Sequence, residues 1–348
     1  MTPVSNGTVV AGRSSGELAN PDLAQRDRLI FSSQREPVSY QPALPKDGVV
    51  LGIYDPHHTF ADDGDVGLQH IYVYWQALDQ PKFKEDLATV RSQLRDAQDH
   101  HRGMMVTVEP YTRAANWRDG GRHLFSDILD GGFDHEIKTI CTEVGAFKGP
   151  ILVRWGHEME HSSSRYPWAG RDPEDFKNAF RYFVETCRAY APNAAYVWSP
   201  DGQENLADYY PGGAYVDVVG LSLYGFEGLE ESKLGHARDF AEAFGERYGR
   251  VASFGKPVMI AELGVTGGQD YRNGWFKDLF RAVAAGTMYP LLHAVVYFND
   301  MEPCHCYGFY GDPDWRIPAG WFTAAKQDMA DHRQEAAAGS SSQPVGIQ

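Results

Sequence analysis

Short apolar runs alternate with longer amphipathic segments along most of the chain. The runs are rich in β-branched and aromatic residues, as buried strands are, and the segments carry apolar residues at helical spacing. The runs span 49–54, 71–75, 103–108, 151–155, 195–198, 216–223, 258–261 and 292–298. The clearest helical segments span 81–101, 135–147, 173–190, 234–254, 274–285 and 320–332. Eight strands that alternate with helices over roughly 280 residues predict a (β/α)8 barrel.

An open, doubly wound α/β sheet is the alternative that this alternation leaves. Such a sheet normally carries a glycine-rich phosphate loop after its first strand. Here the first run is followed by Asp55, Pro56, His57 and His58 instead. The barrel is therefore favoured over the open sheet.

The two ends of the chain lack the alternating pattern. Residues 1–46 are rich in Ser, Pro, Gln and Arg, and residues 333–348 are rich in Ala, Gly, Ser and Gln,. We expect one folded domain over 47–332 between two flexible tails. No run is long enough to cross a membrane, and no secretory signal is visible. Secretion or attachment to the envelope would require a signal that had been removed, so the sequence leaves the compartment undetermined.

The charge of the chain limits the kinds of partner it can bind. The formal net charge is -15, and a strongly acidic protein is a poor partner for nucleic acid or for an anionic membrane,. A neutral or cationic substrate fits better. Aromatic residues make up 13% of the chain, and flat rings stack well on the apolar faces of sugars. We nevertheless expect most of these rings in the core, because large aromatic side chains are usually buried.

The four cysteines, Cys141, Cys187, Cys304 and Cys306, are too few and too scattered to predict a disulfide framework,. They do not identify the redox compartment. The spacing of Cys304 and Cys306 lacks the second pair of ligands that a structural zinc site needs, so we expect no metal there.

Two glutamates stand where a barrel places its chemistry. Catalytic residues of a (β/α)8 barrel come from the carboxyl ends of the strands. Glu262 directly follows the seventh run, and Glu158 follows the fourth run after Gly156 and His157. These strands lie on opposite sides of the barrel mouth, so the two carboxylates can face each other across a bound sugar. Retaining glycoside hydrolysis requires two carboxyl groups roughly 5 to 5.5 Å apart.

The neighbours of Glu158 are suited to that chemistry. Arg154 and His157 supply a charge and hydrogen bonds that can separate the pKa values of the two glutamates,. A purely structural ion pair between Arg154 and a strand-end glutamate is the alternative. Two such glutamates, together with polar side chains at many other strand ends, favour a catalytic site over a structural ion pair.

Other polar and aromatic side chains near the predicted strand ends are candidate substrate contacts. They are His57, Trp75, Glu109, Tyr111, Trp117, Trp168, Trp198, Ser222, Tyr224 and Asn299. A metal-dependent hydrolase using Asp55, His57, His58 and Glu109 is a further alternative. It is disfavoured because adjacent histidines point to opposite sides of a strand. We therefore expect neither a metal nor a cofactor.

Several segments resemble one known family. The segment Arg154-Trp155-Gly156-His157-Glu158-Met159 resembles the Arg-Pro-x-His-Glu-Met acid/base signature of glycoside hydrolase family 26, a family of retaining (β/α)8 glycosidases. The segments 197–200, 209–212, 216–220 and 256–264 are similar to the family's fifth strand, its approach to the sixth strand and its nucleophile strand. The resemblance extends over residues 52–321.

The resemblance implies roles for individual residues. Glu158 would be the general acid/base and Glu262 the nucleophile. Arg154 and His157 would orient the carboxylates, Tyr224 would hydrogen-bond the nucleophile, and Trp198 would line the cleft.

The resemblance also implies an endo-acting enzyme, because the family consists mainly of endo-β-1,4-mannanases. Smaller groups act on mixed-linkage β-1,3-1,4-glucan or on β-1,3-xylan. We expect a monomer whose partner is a β-linked polysaccharide. An inactive carbohydrate-binding barrel is the alternative, and the two intact glutamates disfavour it.

Three positions depart from the mannanase pattern. Glu160 and the residues after it replace an Asn-Gly pair and a nearby Trp, Ser222 stands where an Asp is usual, and Asn299 follows the eighth strand where a Trp-rich segment is common. These positions are expected around the sugar at the cleavage site. The sequence therefore slightly favours β-glucan, including mixed-linkage glucan, over β-mannan.

Overall fold

The structure of the chain, a computed structural model, describes residues 43–75, 81–112, 114, 121–161, 165–302 and 307–341, without the side chains of 81–86 and 336–341. Eight parallel strands form a closed barrel in chain order, and β1 pairs with β8 to complete it. The predicted (β/α)8 fold is confirmed. The strands are β1 (Val50–Tyr54), β2 (Leu68–Tyr74), β3 (Gly103–Glu109), β4 (Ile151–Trp155), β5 (Ala195–Trp198), β6 (Val218–Phe226), β7 (Val258–Thr266) and β8 (Leu292–Phe298).

Helices surround the barrel. Within the described residues they are α1 (Pro81–Asp99), α2 (Leu124–Leu129), α3 (Asp134–Ala146), α4 (Pro173–Arg188), α5 (Glu227–Leu234), α6 (Phe240–Ala252), α7 (Gln269–Ala285) and α8 (Trp321–Ser341). Asp172 caps α4 by accepting hydrogen bonds from the backbone N–H groups of Glu174 and Asp175, and Pro173 occupies the first helical position,. Helix α8 continues past residue 332, where we expected the domain to end. The tail predictions for 1–42 and 342–348 concern residues outside the described part.

Side chains on each strand alternate between the barrel interior and the layer under the helices. An interior cluster takes alternate residues from the strands, and it consists mainly of Leu68, Met105, Leu152, Ala195, Val197, Val218, Met259, Ala261, Ala294 and Val296. The intervening residues pack outward in a larger cluster with the helices. Because the two clusters fix which positions face inward, they also fix which strand-end side chains can reach the mouth of the barrel.

A β-bulge interrupts this alternation in β7. Leu221 of β6 pairs with Ile260, but the next residue, Ser222, pairs with Glu262, so Ala261 is passed over. The pairing of β7 with β8 shifts in the same region. An extra residue at a bulge turns the following side chains to the other face of the strand, and bulges are common beside active sites.

A disulfide joins two neighbouring helices. Cys141 on α3 is bonded to Cys187 on α4, with 5.3 Å between the Cα atoms and 46 residues between them in sequence. Their spacing along the chain did not predict this pair, because only the packing of α3 against α4 brings the two cysteines together. Cys304 and Cys306 lie outside the described residues. No helix in the described ranges has the length and apolar character needed to cross a bilayer.

Candidate active site

Glu158 lies in the turn that follows β4 and has an unusual backbone conformation. Its φ is +54°, in the left-handed region that side chains other than glycine rarely adopt, and Gly156 just before it has φ +57°,. The backbone N–H of Glu158 donates to the carbonyl of Ser199 at 2.8 Å. Strained conformations of this kind are retained mainly at functional sites, where the surrounding structure holds them.

Glu262 lies at the bulge in β7 and both of its carboxylate oxygens are hydrogen-bonded. Arg154, fully buried inside the barrel, donates from Nη1 to Oε1, and the hydroxyl of Tyr224 donates to Oε2 at 2.6 Å. Burial alone would raise the pKa of Glu262, but the charge of Arg154 and the bond from Tyr224 hold this pKa well below its usual value. Glu262 is therefore ionised at neutral pH.

Glu158 and Glu262 face each other at short range. One oxygen of each carboxylate and a ring nitrogen of His157 all lie within 4.8 Å of one another. This distance is compatible with the separation of roughly 5 to 5.5 Å that double displacement uses. Burial, with the negative charge of Glu262 next, raises the pKa of Glu158 to about 7. The two carboxyl groups therefore hold opposite protonation states over a range of pH.

Two further titratable groups lie beside the pair. His157 Nε2 is 4.0 Å from Oε1 of Glu262 and 4.0 Å from Oε1 of Glu109. Burial and the charge of Arg154 lower the pKa of His157 well below its usual value, so this ring is neutral. Burial and the charge of Glu262 raise the pKa of Glu109 to about 8. Below about pH 7 the main anion of the site is therefore Glu262, balanced by Arg154.

The same group of side chains could geometrically hold a cation. His157, Glu158 and Glu262 each offer a ligand atom within the 4.8 Å cluster. Both oxygens of Glu262 are already bound by donors, and Arg154 places a positive charge against it. A divalent ion would have to displace those donors and approach a buried guanidinium, so the arrangement suits proton transfer better than metal binding.

Ser222 interacts with Arg154 and with Glu158. Its Oγ accepts a hydrogen bond from Nη2 of Arg154 at 3.2 Å, and a hydrogen bond from Ser222 lowers the pKa of Glu158 against the effect of burial. The side chain of Ser222 is buried. A substitution here therefore acts on the catalytic groups as well as on a bound sugar.

Two predicted sugar contacts are wrong. Trp75 and Trp198 are fully buried and belong to the layer between barrel and helices. Trp75 stacks on Phe133 with 4.7 Å between ring centroids, and Trp198 packs edge-on against Phe254. Both residues lie at outward-facing positions, so neither ring lines the mouth of the barrel.

Trp168 is also fully buried, but it lies next to the site. It stacks on Tyr166 at 4.7 Å, and its Nε1 donates to the backbone carbonyl of His157 at 2.6 Å. Trp168 therefore supports His157 and Tyr166 from behind instead of meeting the substrate, which corrects its prediction as a sugar contact. Trp117 lies outside the described residues.

Asn299 has a structural position, contrary to its predicted role as a substrate contact. Its Nδ2 donates to Asp55 and its Oδ1 accepts from the backbone N–H of Ile317, both at 2.9 Å, and the side chain is buried. Asn299 thus ties together the loops after β1 and β8. His57 lies exposed on the rim, where its Nε2 is 3.0 Å from Asp300, so it remains a candidate contact.

Three residues near the site were not singled out from the sequence. His70, inside β2, is buried with Nε2 2.7 Å from the hydroxyl of Thr107. The alternation of side chains along β2 could have identified it, because His70 is two residues after Leu68 and faces the same side of the strand,. Tyr74 is exposed at the end of β2 and contacts Tyr111 edge-on at 5.3 Å. Arg165 could not be identified from the sequence, because its partner, Glu302, lies on a loop far away along the chain.

Comparison with known proteins points to one family. A family model described as "Glycosyl hydrolase family 26" matches residues 133–285, a range that includes both glutamates. "Beta-1,3-xylanase TXYA" of Vibrio sp is 28% identical over 143 residues, which are 39% of this chain and 28% of that protein. "Endoglucanase H" of Acetivibrio thermocellus is 27% identical over 252 residues, which are 68% of this chain and 25% of that protein.

Solved structures share the fold. A Cellulomonas fimi endo-beta-1,4-mannanase double mutant is similar with a TM-score of 0.57 and 18% identity, over 82% of this chain and 71% of that chain. At 18% sequence identity, this similarity shows a shared barrel fold and does not show a shared substrate. The chain spans about a quarter of the length of the curated relatives it matches.

Proposed function

We propose that the chain is an endo-acting, retaining member of glycoside hydrolase family 26 that cleaves a β-linked polysaccharide. The observation that carries the proposal is the pair Glu158 and Glu262, with oxygens within 4.8 Å and pKa values displaced in opposite directions. Two carboxyl groups at this distance, one protonated and one ionised, are what double displacement needs.

In the first step Glu262 attacks the anomeric carbon and a covalent glycosyl-enzyme forms. The glycosidic C–O bond breaks at the same time, and Glu158 gives its proton to the leaving oxygen. Arg154 and Tyr224 bind the two oxygens of Glu262. They orient the carboxylate and keep it ionised until it attacks.

In the second step Glu158, now a carboxylate, takes a proton from water. That water attacks the anomeric carbon, the bond to Glu262 breaks, and the product leaves with its original configuration. Glu158 is protonated again and Glu262 is ionised again. A pKa of about 7 suits Glu158 to both roles near neutral pH,.

The substrate we propose is a β-glucan, including mixed-linkage glucan, with β-mannan as the alternative. The proposal rests on Ser222, a neutral hydroxyl that replaces the Asp of the mannanases the sequence resembles and lies against Arg154. A carboxylate accepts hydrogen bonds from a sugar more strongly than a hydroxyl does. Its loss weakens a contact that would favour the axial 2-hydroxyl of mannose. One of the relatives is named an endoglucanase.

The test compares initial rates on mixed-linkage glucan, glucomannan, galactomannan and β-1,3-xylan, with the new reducing ends identified. Endo action predicts that viscosity falls early, before many reducing ends appear. Glu262→Gln is the matched control, because it keeps the shape and removes the nucleophile. No cleavage of any of these polysaccharides by the unaltered chain would contradict the proposed activity. Fast cleavage of pure mannan without cleavage of glucan would contradict only the substrate.

A further inference from the structure

An ion pair joins the loops that follow β4 and β8. Arg165 donates from Nη2 to Oε1 of Glu302, and the hydroxyl of Tyr307 is 3.4 Å from the other oxygen of Glu302. In a closed barrel of eight strands in chain order, β4 and β8 lie diametrically opposite each other. The contact between Arg165 and Glu302, which we name the rim bridge, therefore spans the mouth of the barrel.

Both ends of the rim bridge are anchored. The backbone N–H of Glu302 donates to the carbonyl of Pro313 at 3.1 Å, which fixes the loop after β8. On the other side Tyr166 follows Arg165 directly and stacks on the buried ring of Trp168 at 4.7 Å. One contact therefore holds Glu302 itself, and the other holds the neighbour of Arg165.

The rim bridge lies close to the general acid. Tyr166, which follows Arg165, contacts the ring of His157 edge-on with 4.8 Å between the ring centroids, and His157 directly precedes Glu158. The charges of Arg165 and Glu158 also act on each other. Glu158 and Glu262 are only 6% and 5% exposed, so little of either carboxylate is open to solvent. The acid must meet the glycosidic oxygen of the leaving group. The rim bridge beside Glu158 therefore restricts the space available to the leaving-group part of the polysaccharide.

We propose that the rim bridge determines which polysaccharides reach the two carboxylates, by admitting an unbranched chain and excluding one that carries sugar branches near the leaving group. The inference rests on the proposed glycosidase function. The side chains of Arg165 and Glu302 are 47% and 18% exposed, so the pair can open and admit a polysaccharide from the side, as endo action requires,. A sugar branch beside the leaving group needs more lateral space at the rim bridge than an unbranched chain does.

The test uses Glu302→Ala, which removes the acceptor of the bridge. Rates are measured on galactomannan before and after enzymatic removal of its galactose branches, and on xyloglucan against cellulose oligosaccharides. We expect the ratio of branched to unbranched rates to rise about threefold to fivefold, which is the shift in an equilibrium expected from losing one partly exposed ion pair.

Glu143→Ala is the matched control. Glu143 pairs with Arg91 between α3 and α1, and the side chains are 18% and 50% exposed, against 18% for Glu302 and 47% for Arg165. The control should leave the ratio unchanged. A folded Glu302→Ala chain with an unchanged ratio would overturn the inference. Absence of all cleavage by the unaltered chain would instead count against the glycosidase function.

A second variant separates the bridge from a purely structural role. The positive charge of Arg165 favours the carboxylate form of Glu158 and so lowers its pKa. Arg165→Gln should therefore raise this pKa and move the basic limb of the pH–rate profile to higher pH. It should also raise the ratio of branched to unbranched rates. A basic limb that stays in place would contradict the position assigned to Arg165.

Discussion

Arg154 lies wholly inside the barrel and donates a hydrogen bond from Nη1 to Oε1 of Glu262. A buried ion pair of this kind is costly to break, because the remaining charge is left in a medium of low dielectric constant. The pair also explains why Glu262 stays ionised although burial favours its neutral form. The nucleophile and its counter-ion therefore act as one unit, and neither residue can be changed without affecting the other.

Removing one partner of this unit should destabilise the fold more than removing both. We expect Arg154→Met alone to lower the free energy of unfolding by about 3–5 kcal/mol. The double variant Arg154→Met with Glu262→Gln should recover a large part of that loss, since no unpaired buried charge remains. Urea denaturation of both single variants and the double variant measures the coupling. Simple addition of the two single losses would contradict the description of the pair as a unit.

Replacement of the general acid should affect substrates according to their leaving groups. Without the proton of Glu158, a sugar leaving group departs poorly, and we expect Glu158→Gln to slow polysaccharide cleavage about 100-fold to 10,000-fold. Activated aryl β-glycosides need little protonation and should be much less affected in their first step. Burst kinetics with such glycosides separates the two steps. An equal loss on both kinds of substrate would mean that Glu158 has another role.

The activity should fall as the pH rises through the pKa of Glu158. That pKa is raised to about 7, so the reactive protonated form is lost above this pH, whereas Glu262 loses its charge only well below the usual carboxyl range. Profiles of kcat/KM against pH should show these two limbs. Glu158→Gln, assayed with an activated aryl glycoside, should lose the basic limb.

Glu160 provides the control for this assignment. Burial raises its pKa to about 7 as well, but its carboxylate accepts hydrogen bonds from the backbone N–H groups of Gly202 and Gln203. Glu160→Gln should therefore keep the basic limb in place. If the limb disappears in this variant and persists in Glu158→Gln, the titrating group has been misidentified.

Ser222→Asp should shift the substrate preference towards mannan. The new carboxylate would accept hydrogen bonds from the sugar at the cleavage site, and we expect the ratio of mannan to glucan rates to rise about tenfold, as the gain of one charged hydrogen bond allows. The carboxylate would also raise the pKa of Glu158, which lies against Ser222. Ser222→Asn, similar in shape but neutral, is the control. An unchanged ratio in Ser222→Asp would remove the argument for glucan.

The disulfide should stabilise the folded chain appreciably. Cys141 and Cys187 are 46 residues apart, and closing a loop of that length in the unfolded state corresponds to about 2–4 kcal/mol,. Replacing both with Ala should lower the unfolding free energy by that amount, and adding a reducing agent to the unaltered chain should have the same effect. Thermal unfolding with and without reductant checks this. If the reductant leaves the unfolding of the unaltered chain unchanged, the bond does not form in solution.

The sequence predicted the barrel and the two glutamates because both follow from position along strands. Apolar runs identify strands, and the first polar residue after a run identifies the mouth of the barrel, as at Glu262. The same reasoning failed at Trp75 and Trp198, since the last residue of a run can face either layer and only the pairing register decides. Arg165 was missed for a related reason, because its partner lies on the opposite rim.

The bulge in β7 has a consequence for protein engineering. Met259 and Ala261 belong to the interior cluster, whereas Leu263 and Val265 pack outward, although all four positions have odd numbers. If this strand were grafted into another barrel with regular alternation of side chains and no bulge, the carboxylate of Glu262 would therefore point outward, under the helices. A graft therefore has to include Ala261 and Glu262 together, paired with a neighbouring strand so that Ala261 remains unpaired as it does against β6. Copying the glutamate alone would lose its orientation towards the barrel mouth.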